Sequence, residues 1–316
     1  MKILIILQLT NDDIGQIGGG KVKPTGIVDI AMVQSLNSRE KVNNLLKDYG
    51  QVVVDECHHI SAVSFEKVMK QVDAKYVHGL TATPQRKDGL HPIITMQCGP
   101  IRYKVEAKQQ AKVYPFKQVL IPRYTSFHVS DENNEMTIHH LYKNMVNDER
   151  RNEMIFNDVL HCLEEGRSPI ILTERIEHIK KLEEKFKDFA KNVIVLTGGL
   201  KKKEEQERLQ QLKRIPENEE RLIIASGKYI GEGFDDARLD TLFLAMPISW
   251  KGTLQQYVGR LHRHFVGKSS VKVYDYIDHK QPMIKKMYEK RLKGYAALGF
   301  KTLNNDETKD EQMKLF

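Results

Sequence analysis

The chain has 316 residues, 40% hydrophobic and 29% charged, with a formal net charge of +8. That length suits two ordinary domains, and no apolar run approaches the length of a membrane span. Cys57, Cys98 and Cys162 lie too far apart for a metal-binding spacing and read as free thiols of a reducing compartment.

In chain order, residues 1–9 are apolar but short. Asn11-Asp12-Asp13 follows where a signal peptide needs small residues, so the start reads as a buried strand of a cytoplasmic protein. Strands are predicted at 27–33, 52–55, 76–80, 169–172, 193–196, 222–225, 241–245 and 271–277. Amphipathic helices are predicted at 40–47, 65–71, 177–189, 201–212 and 254–261, with one long charged helix at 138–163. This alternation predicts an α/β fold of parallel sheets with helices on both faces. The strands are nearly continuous in apolar residues, as expected when both faces are covered. The alternation breaks between about Pro100 and Glu135, where prolines scatter and Ser130-Asp131-Glu132-Asn133-Asn134-Glu135 is polar. The expected division is a first domain at 1–110, a linker at 111–137, a second domain at 138–303 and a flexible tail at 304–316.

Val52-Val53-Val54-Asp55-Glu56-Cys57-His58-His59 is the most informative segment. An apolar strand ending in two carboxylates places them at the carboxyl edge of a sheet, where open α/β folds bind ligands. A carboxylate buried there is costly without a cation, which points to Mg²⁺. In nucleotide hydrolysis one acid holds Mg²⁺ and another residue can orient the attacking water. The plain alternative is a strand ending in solvated acids before a turn.

Asp55-Glu56-Cys57-His58 resembles the DExH box, motif II of superfamily-two helicases. Thr81-Ala82-Thr83-Pro84, after the next strand, resembles motif III. The resemblance implies that Asp55 holds Mg²⁺ and Glu56 activates water. It also implies that His58 senses the nucleotide, and that Thr81 and Thr83 couple that site to the nucleic-acid groove. Ser226-Gly227-Lys228-Tyr229-Ile230-Gly231-Glu232-Gly233-Phe234-Asp235-Asp236 resembles motif V, whose glycines permit close backbone approach. In it Gly233 and Asp235 would approach ATP.

Gln255-Gln256-Tyr257-Val258-Gly259-Arg260-Leu261-His262-Arg263 resembles motif VI. Arg260 and Arg263 are three apart, so on a helix they share a face and can grip phosphate oxygens. The resemblance makes them arginine fingers, facing Asp55 and Glu56 across a cleft, with Gln256 at ATP. The ordinary alternative is a solvated basic face. Thr173-Glu174-Arg175 stands where motif IV belongs. The implied fold is two RecA-like parallel-sheet domains, the first incomplete. The implied function is an ATP- and Mg²⁺-dependent motor on DNA rather than RNA, from the branch with restriction-enzyme motor subunits and repair helicases. The alternative is a non-catalytic DNA-binding or partner-binding module that keeps the motor fold.

Such a motor needs a phosphate-binding loop before its DExH box. Gly15-Gln16-Ile17-Gly18-Gly19-Gly20-Lys21-Val22 nearly fits. Yet Val22 has no hydroxyl for Mg²⁺, Pro24 and Gly26 stand where a helix should open, and Asp55 follows too soon. The segment equally fits a basic loop beside a nucleic-acid backbone or a solvated turn. The chain is therefore expected to begin inside the first motor domain, as an engineered piece, a split gene or a natural scaffold. Gln34, Ser35 and Lys228 are candidate phosphate contacts. The end, Gln312-Met313-Lys314-Leu315-Phe316, resembles the peptide that docks bacterial DNA-handling proteins on the sliding clamp. Its anchors would be Gln312, Leu315 and Phe316; the alternative is an amphiphilic chain end.

Overall fold

The computed structural model describes residues 9–37, 45–57, 62–81, 91–105, 116–130, 137–200, 202–231, 234–248 and 251–303. The chain divides into two units, Met1–Lys104 and Val105–Phe316.

In the first unit β1 (Ile14–Gly18) and β2 (Lys21–Lys23) form an antiparallel hairpin, and β3 (Val28–Ala31) runs parallel to β1 on its other side. Gly19 and Gly20 make the two-residue loop at φ 61° and 83°, the left-handed pair that matches strand twist in a tight hairpin. The Gly15–Val22 segment is thus a hairpin, not a loop opening into a helix. Asp29 fastens the next bend by accepting from Thr25 N (2.7 Å), Gly26 N (3.0 Å) and the Tyr49 hydroxyl. Gly15 is required beside it, because a Cβ there would stand 1.7 Å from Asp29 Oδ1. The strand expected at 27–33 stops at Ala31 and gives way to α1 (Val33–Asn37). After it come β4 (Gln51–Val54), α2 (Ala62–Met69), β5 (Tyr76–Gly79) and α3 (His91–Cys98), with β4 and β5 paired in parallel. Two small cores result, one around Ile17, Leu36, Leu46 and Val68, the other around Val54, Cys57, Phe65 and Met69.

The second unit opens with β6 (Lys117–Tyr124), α4 (Ile138–Asn147), α5 (Glu149–Glu164), β7 (Pro169–Thr173) and α6 (Ile176–Phe186). It continues through β8 (Val193–Leu196), α7 (Lys202–Arg214), β9 (Leu222–Ser226), α8 (Gly227–Gly231) and β10 (Thr241–Leu244). It closes with α9 (Lys251–Leu261), β11 (Ser270–Ile277), α10 (Pro282–Leu298) and β12 (Lys301–Thr302). Seven strands form one parallel sheet in the order β12-β6-β11-β10-β7-β9-β8. Alternate residues serve opposite faces. Ile170, Leu172, Ile223, Ala225, Leu242 and Leu244 enter one core, while Ile171, Leu222, Ile224, Phe243 and Ala245 enter the other. Both faces are therefore covered, as the unbroken apolar strands predict.

Two expectations are corrected here. The linker expected at 111–137 contains β6, which pairs with β11 along its whole length. Pro122 fits because its ring side continues the row of Leu120, facing β12, whose pairing ends at Leu120; the missing N–H leaves no ladder bond unmade. The helix expected at 138–163 is two helices. Asp148 stops the first and caps the second, its carboxylate accepting from Arg151 N at 2.8 Å.

Candidate functional site

In the first unit, β4 ends on buried Val54 and the chain turns through exposed Asp55, half-buried Glu56 and buried Cys57. Glu56 has φ 46°, the one positive value at a non-glycine among the described residues. Its N–H donates to Asp55 Oδ1 at 2.9 Å. The turn is tied to the exit of β5, since Leu80 N donates to Val54 O at 2.8 Å and Cys57 N to Leu80 O at 3.1 Å. Half-buried Thr81 thus follows directly from the residue that clasps the acidic turn. Gly79 is squeezed beneath: a Cβ there would meet Cys98 Sγ at 3.1 Å and Cys57 Sγ at 3.2 Å. Burial pushes the Cys57 thiol up, and burial with the neighbouring Cys57 pushes Cys98 up to about 11, so both pack as apolar thiols. Gln34 is exposed and Ser35 half-buried on α1. His58 and Thr83 lie outside the described residues.

In the second unit three motif-bearing segments meet at the carboxyl ends of β7 and β9. Gly227 opens α8 under the side chains of Tyr257 and Glu174, and a Cβ there would stand 1.9 Å from the Tyr257 hydroxyl and 2.4 Å from Glu174 Oε1. Tyr257 donates to Glu174 Oε1 at 3.2 Å. Ser226 Oγ, one residue earlier, accepts from Gly198 N at 3.3 Å. Buried His178 links Thr173 Oγ1 (3.0 Å) to Asn152 Oδ1 (2.9 Å), which fixes the exit of β7. Burial holds this imidazole down at about 3, so it is neutral.

Arg263 Nε pairs with Asp235 Oδ1 at 2.9 Å, both half exposed, and Arg260 Nε donates to Ile230 O at 3.2 Å. Arg260 lies on α9, but the helix ends at Leu261. Arg263 therefore follows the helix instead of sharing a face with Arg260, as spacing had predicted. Gln256 is half-buried on α9, and Lys228 lies on α8. Gly233 and the tail residues Gln312, Leu315 and Phe316 lie outside the described residues.

Sequence reasoning missed the side chains that hold the connector into α9. Arg151 Nη1 donates to Ala245 O (2.6 Å), the Tyr142 hydroxyl to Pro247 O (2.8 Å) and Arg291 Nη1 to Ile248 O (2.7 Å). Both arginines are buried against aspartates. Arg291 is bidentate to Asp275 at 2.8 and 2.8 Å, and Arg151 Nε reaches Asp278 at 3.0 Å. Their signal in the sequence is slight, because an arginine on an amphipathic helix ordinarily faces water.

The seven-stranded parallel sheet with both faces covered defines the class: a RecA-like α/β fold. Residues 7–86 match the family described as type III restriction enzyme, res subunit, and residues 152–265 match the helicase conserved C-terminal domain. A protein of Acanthamoeba polyphaga mimivirus, provisionally described as ATP-dependent RNA helicase L396, is 27% identical over 83% of this chain and 50% of its own length. The DNA 3'-5' translocase XPB2 of Sulfurisphaera tokodaii is 24% identical over 79% of this chain and 63% of its own. The chain thus spans half to just under two thirds of these relatives.

Among solved structures, S. cerevisiae Dbp5 bound to RNA and ADP BeF3 aligns with TM-score 0.62 at 12% identity, over 98% of this chain and 75% of its own. A fragment of a type I restriction-enzyme HsdR subunit, provisionally assigned, from Vibrio vulnificus YJ016 aligns with TM-score 0.61 at 17% identity, over 87% and 53%. At such identities the likeness establishes the fold. The two family matches, which together span most of the chain, place it among the superfamily-two helicases. No described helix is long and apolar enough to cross a membrane.

Proposed function

We propose that the chain works as part of an ATP-driven DNA helicase or translocase motor. The observation that carries this reading is the acidic turn. A glutamate held at φ 46° at the carboxyl edge of a parallel strand, clasped to the next motif, is strained backbone where chemistry is expected. Asp55 is exposed at that edge and suits Mg²⁺, which is bound through one or two carboxylates, waters and substrate phosphates. The ion would neutralise phosphate charge when ATP is bound. Glu56 would orient water, Arg260 and Arg263 would grip the terminal phosphates, and His58, Gly233, Asp235 and Gln256 would line the nucleotide. Thr81 and Thr83 would couple nucleotide to nucleic acid. Gln34, Ser35 and Lys228 would touch its backbone, with affinity falling steeply as salt rises.

DNA is preferred for the Glu-Gly-Phe-Asp form of motif V, and the DNA translocase relative agrees with it; the mimivirus relative's description keeps RNA as an outcome of the test. The test is ATP turnover with single-stranded DNA or RNA added. DNA-stimulated turnover lost in Glu56→Gln supports the motor reading and overturns the expectation that this chain lacks its phosphate loop, whereas turnover unaffected by Glu56→Gln overturns the motor reading.

A second reading has its own observation. Gly15–Val22, the one described segment resembling a phosphate loop, is a hairpin. A non-catalytic DNA- or partner-binding module in the cytoplasm fits that, and DNA binding without turnover by this chain would favour it. The clamp-docking tail rests on the sequence alone; a tail peptide whose clamp binding survives Phe316→Ala sinks it.

A further inference from the structure

The α9 helix ends where it leaves carbonyls without helical partners, at the negative end of its dipole. Gly267, at φ 83°, turns the chain back, and Lys268 returns to that end. Its ammonium lies 3.1 Å from Leu261 O and 2.8 Å from Arg263 O. It also lies 2.6 Å from Ala237 O and 2.7 Å from Leu239 O, in the loop that follows Asp235. Three N–H donors face four carbonyls, so the cation fills a ring of main-chain oxygens drawn from two separate segments.

These two segments carry Asp235 and Arg263. Their side chains pair at 2.9 Å but are 53% and 50% exposed, and exposed pairs of this kind fix little geometry by themselves. The backbone frame beneath the pair is what Lys268 holds. It grips the carbonyl of Arg263 itself and one only two residues beyond Asp235. Burial lowers Lys268 to about 8, against the pull of Asp240 and Asp236, which leaves it charged at neutral pH.

We propose that Lys268 is a positioning residue, whose ammonium staples the end of α9 to the Asp235 loop and so sets where Arg263 stands. That Arg263 meets ATP phosphate rests on the motor reading; the stapling does not.

The test is hydrogen exchange on the full chain, with ATP affinity measured alongside. In Lys268→Met, amides of 261–264 and 237–239 should exchange at least about tenfold faster, while 222–226 and 270–277 stay at wild-type rates. Lys268→Arg keeps the charge and should fall between; it carries the test if the Met variant does not fold. Wild-type rates in both segments of these variants overturn the proposal. For ATP with Mg²⁺, Lys268→Met and Arg263→Ala should each weaken binding, and the double variant should weaken it no further than Arg263→Ala. Additive losses overturn the link from Lys268 to Arg263. If exchange responds while no variant, Arg263→Ala included, changes ATP affinity, the staple stands and the motor reading is what fails.

Discussion

The strands of the two units read alike in sequence and are buried very differently. β7, β9 and β10 are buried at every residue, whereas β4 and β5 bury only Val54. Val53, Tyr76 and Leu80 of the first unit are each more than half exposed. Apolar content alone therefore does not make a core; a second layer on the other face does. The second unit also stitches its core with buried ion pairs, while the first relies on main-chain clasps around Asp29 and Leu80. The sparser unit holds the acidic turn, and local opening is expected to be cheapest there.

Four substitutions can break or sharpen this contrast. The largest effect is expected from Arg291→Ala, which leaves Asp275 buried without its cation and should cost about 3–5 kcal/mol. Hydrogen exchange should then rise across 222–226 and 270–277 while 51–54 is unmoved; a rise confined to the first unit would refute the contrast.

His178 gives a pH test. Folded, it stays neutral down to about 3, whereas its ordinary value is 6.5. Between those values the unfolded chain binds the extra proton. Stability of the second unit should thus be complete above 6.5 and fall with pH below it, by up to about 1.4 kcal/mol per unit. Denaturant melts of His178→Gln should lose that slope; an unchanged slope assigns it elsewhere.

In the first unit, Tyr49→Phe removes a donor to Asp29 and should cost about 1 kcal/mol, visible as faster exchange at 25–29. The smallest effect is expected from Val53→Thr on the open face of β4, within about 0.5 kcal/mol. A loss of several times that in a thermal melt would mean that this face is covered.

Much of the fold was legible because strands buried on both faces leave long apolar runs, as at Ile223 and Ile224. β6 was hidden by Pro122 and by the charged ends of its strand. The break at Asp148 and the α10 helix were missed although their signals were present: an aspartate cap, Pro282 at a helix start and left-handed Gly299 at its end. In the candidate site the placing of Asp55 and Glu56 just after a strand was legible from the apolar run before them, whereas the shared face expected for Arg260 and Arg263 is lost because α9 ends at Leu261. The site was illegible where geometry joins distant residues. Nothing in the sequence places Glu174 and Tyr257 over Gly227, or Lys268 among four carbonyls.

Glu56 has one more consequence. A left-handed backbone at a non-glycine costs about 1–3 kcal/mol, and glycine would relieve it. A library at position 56 sorted for thermal stability should enrich glycine or asparagine, while one sorted for turnover should return glutamate. Where the two selections disagree, the chain records a residue kept for its carboxylate against the preference of its own backbone.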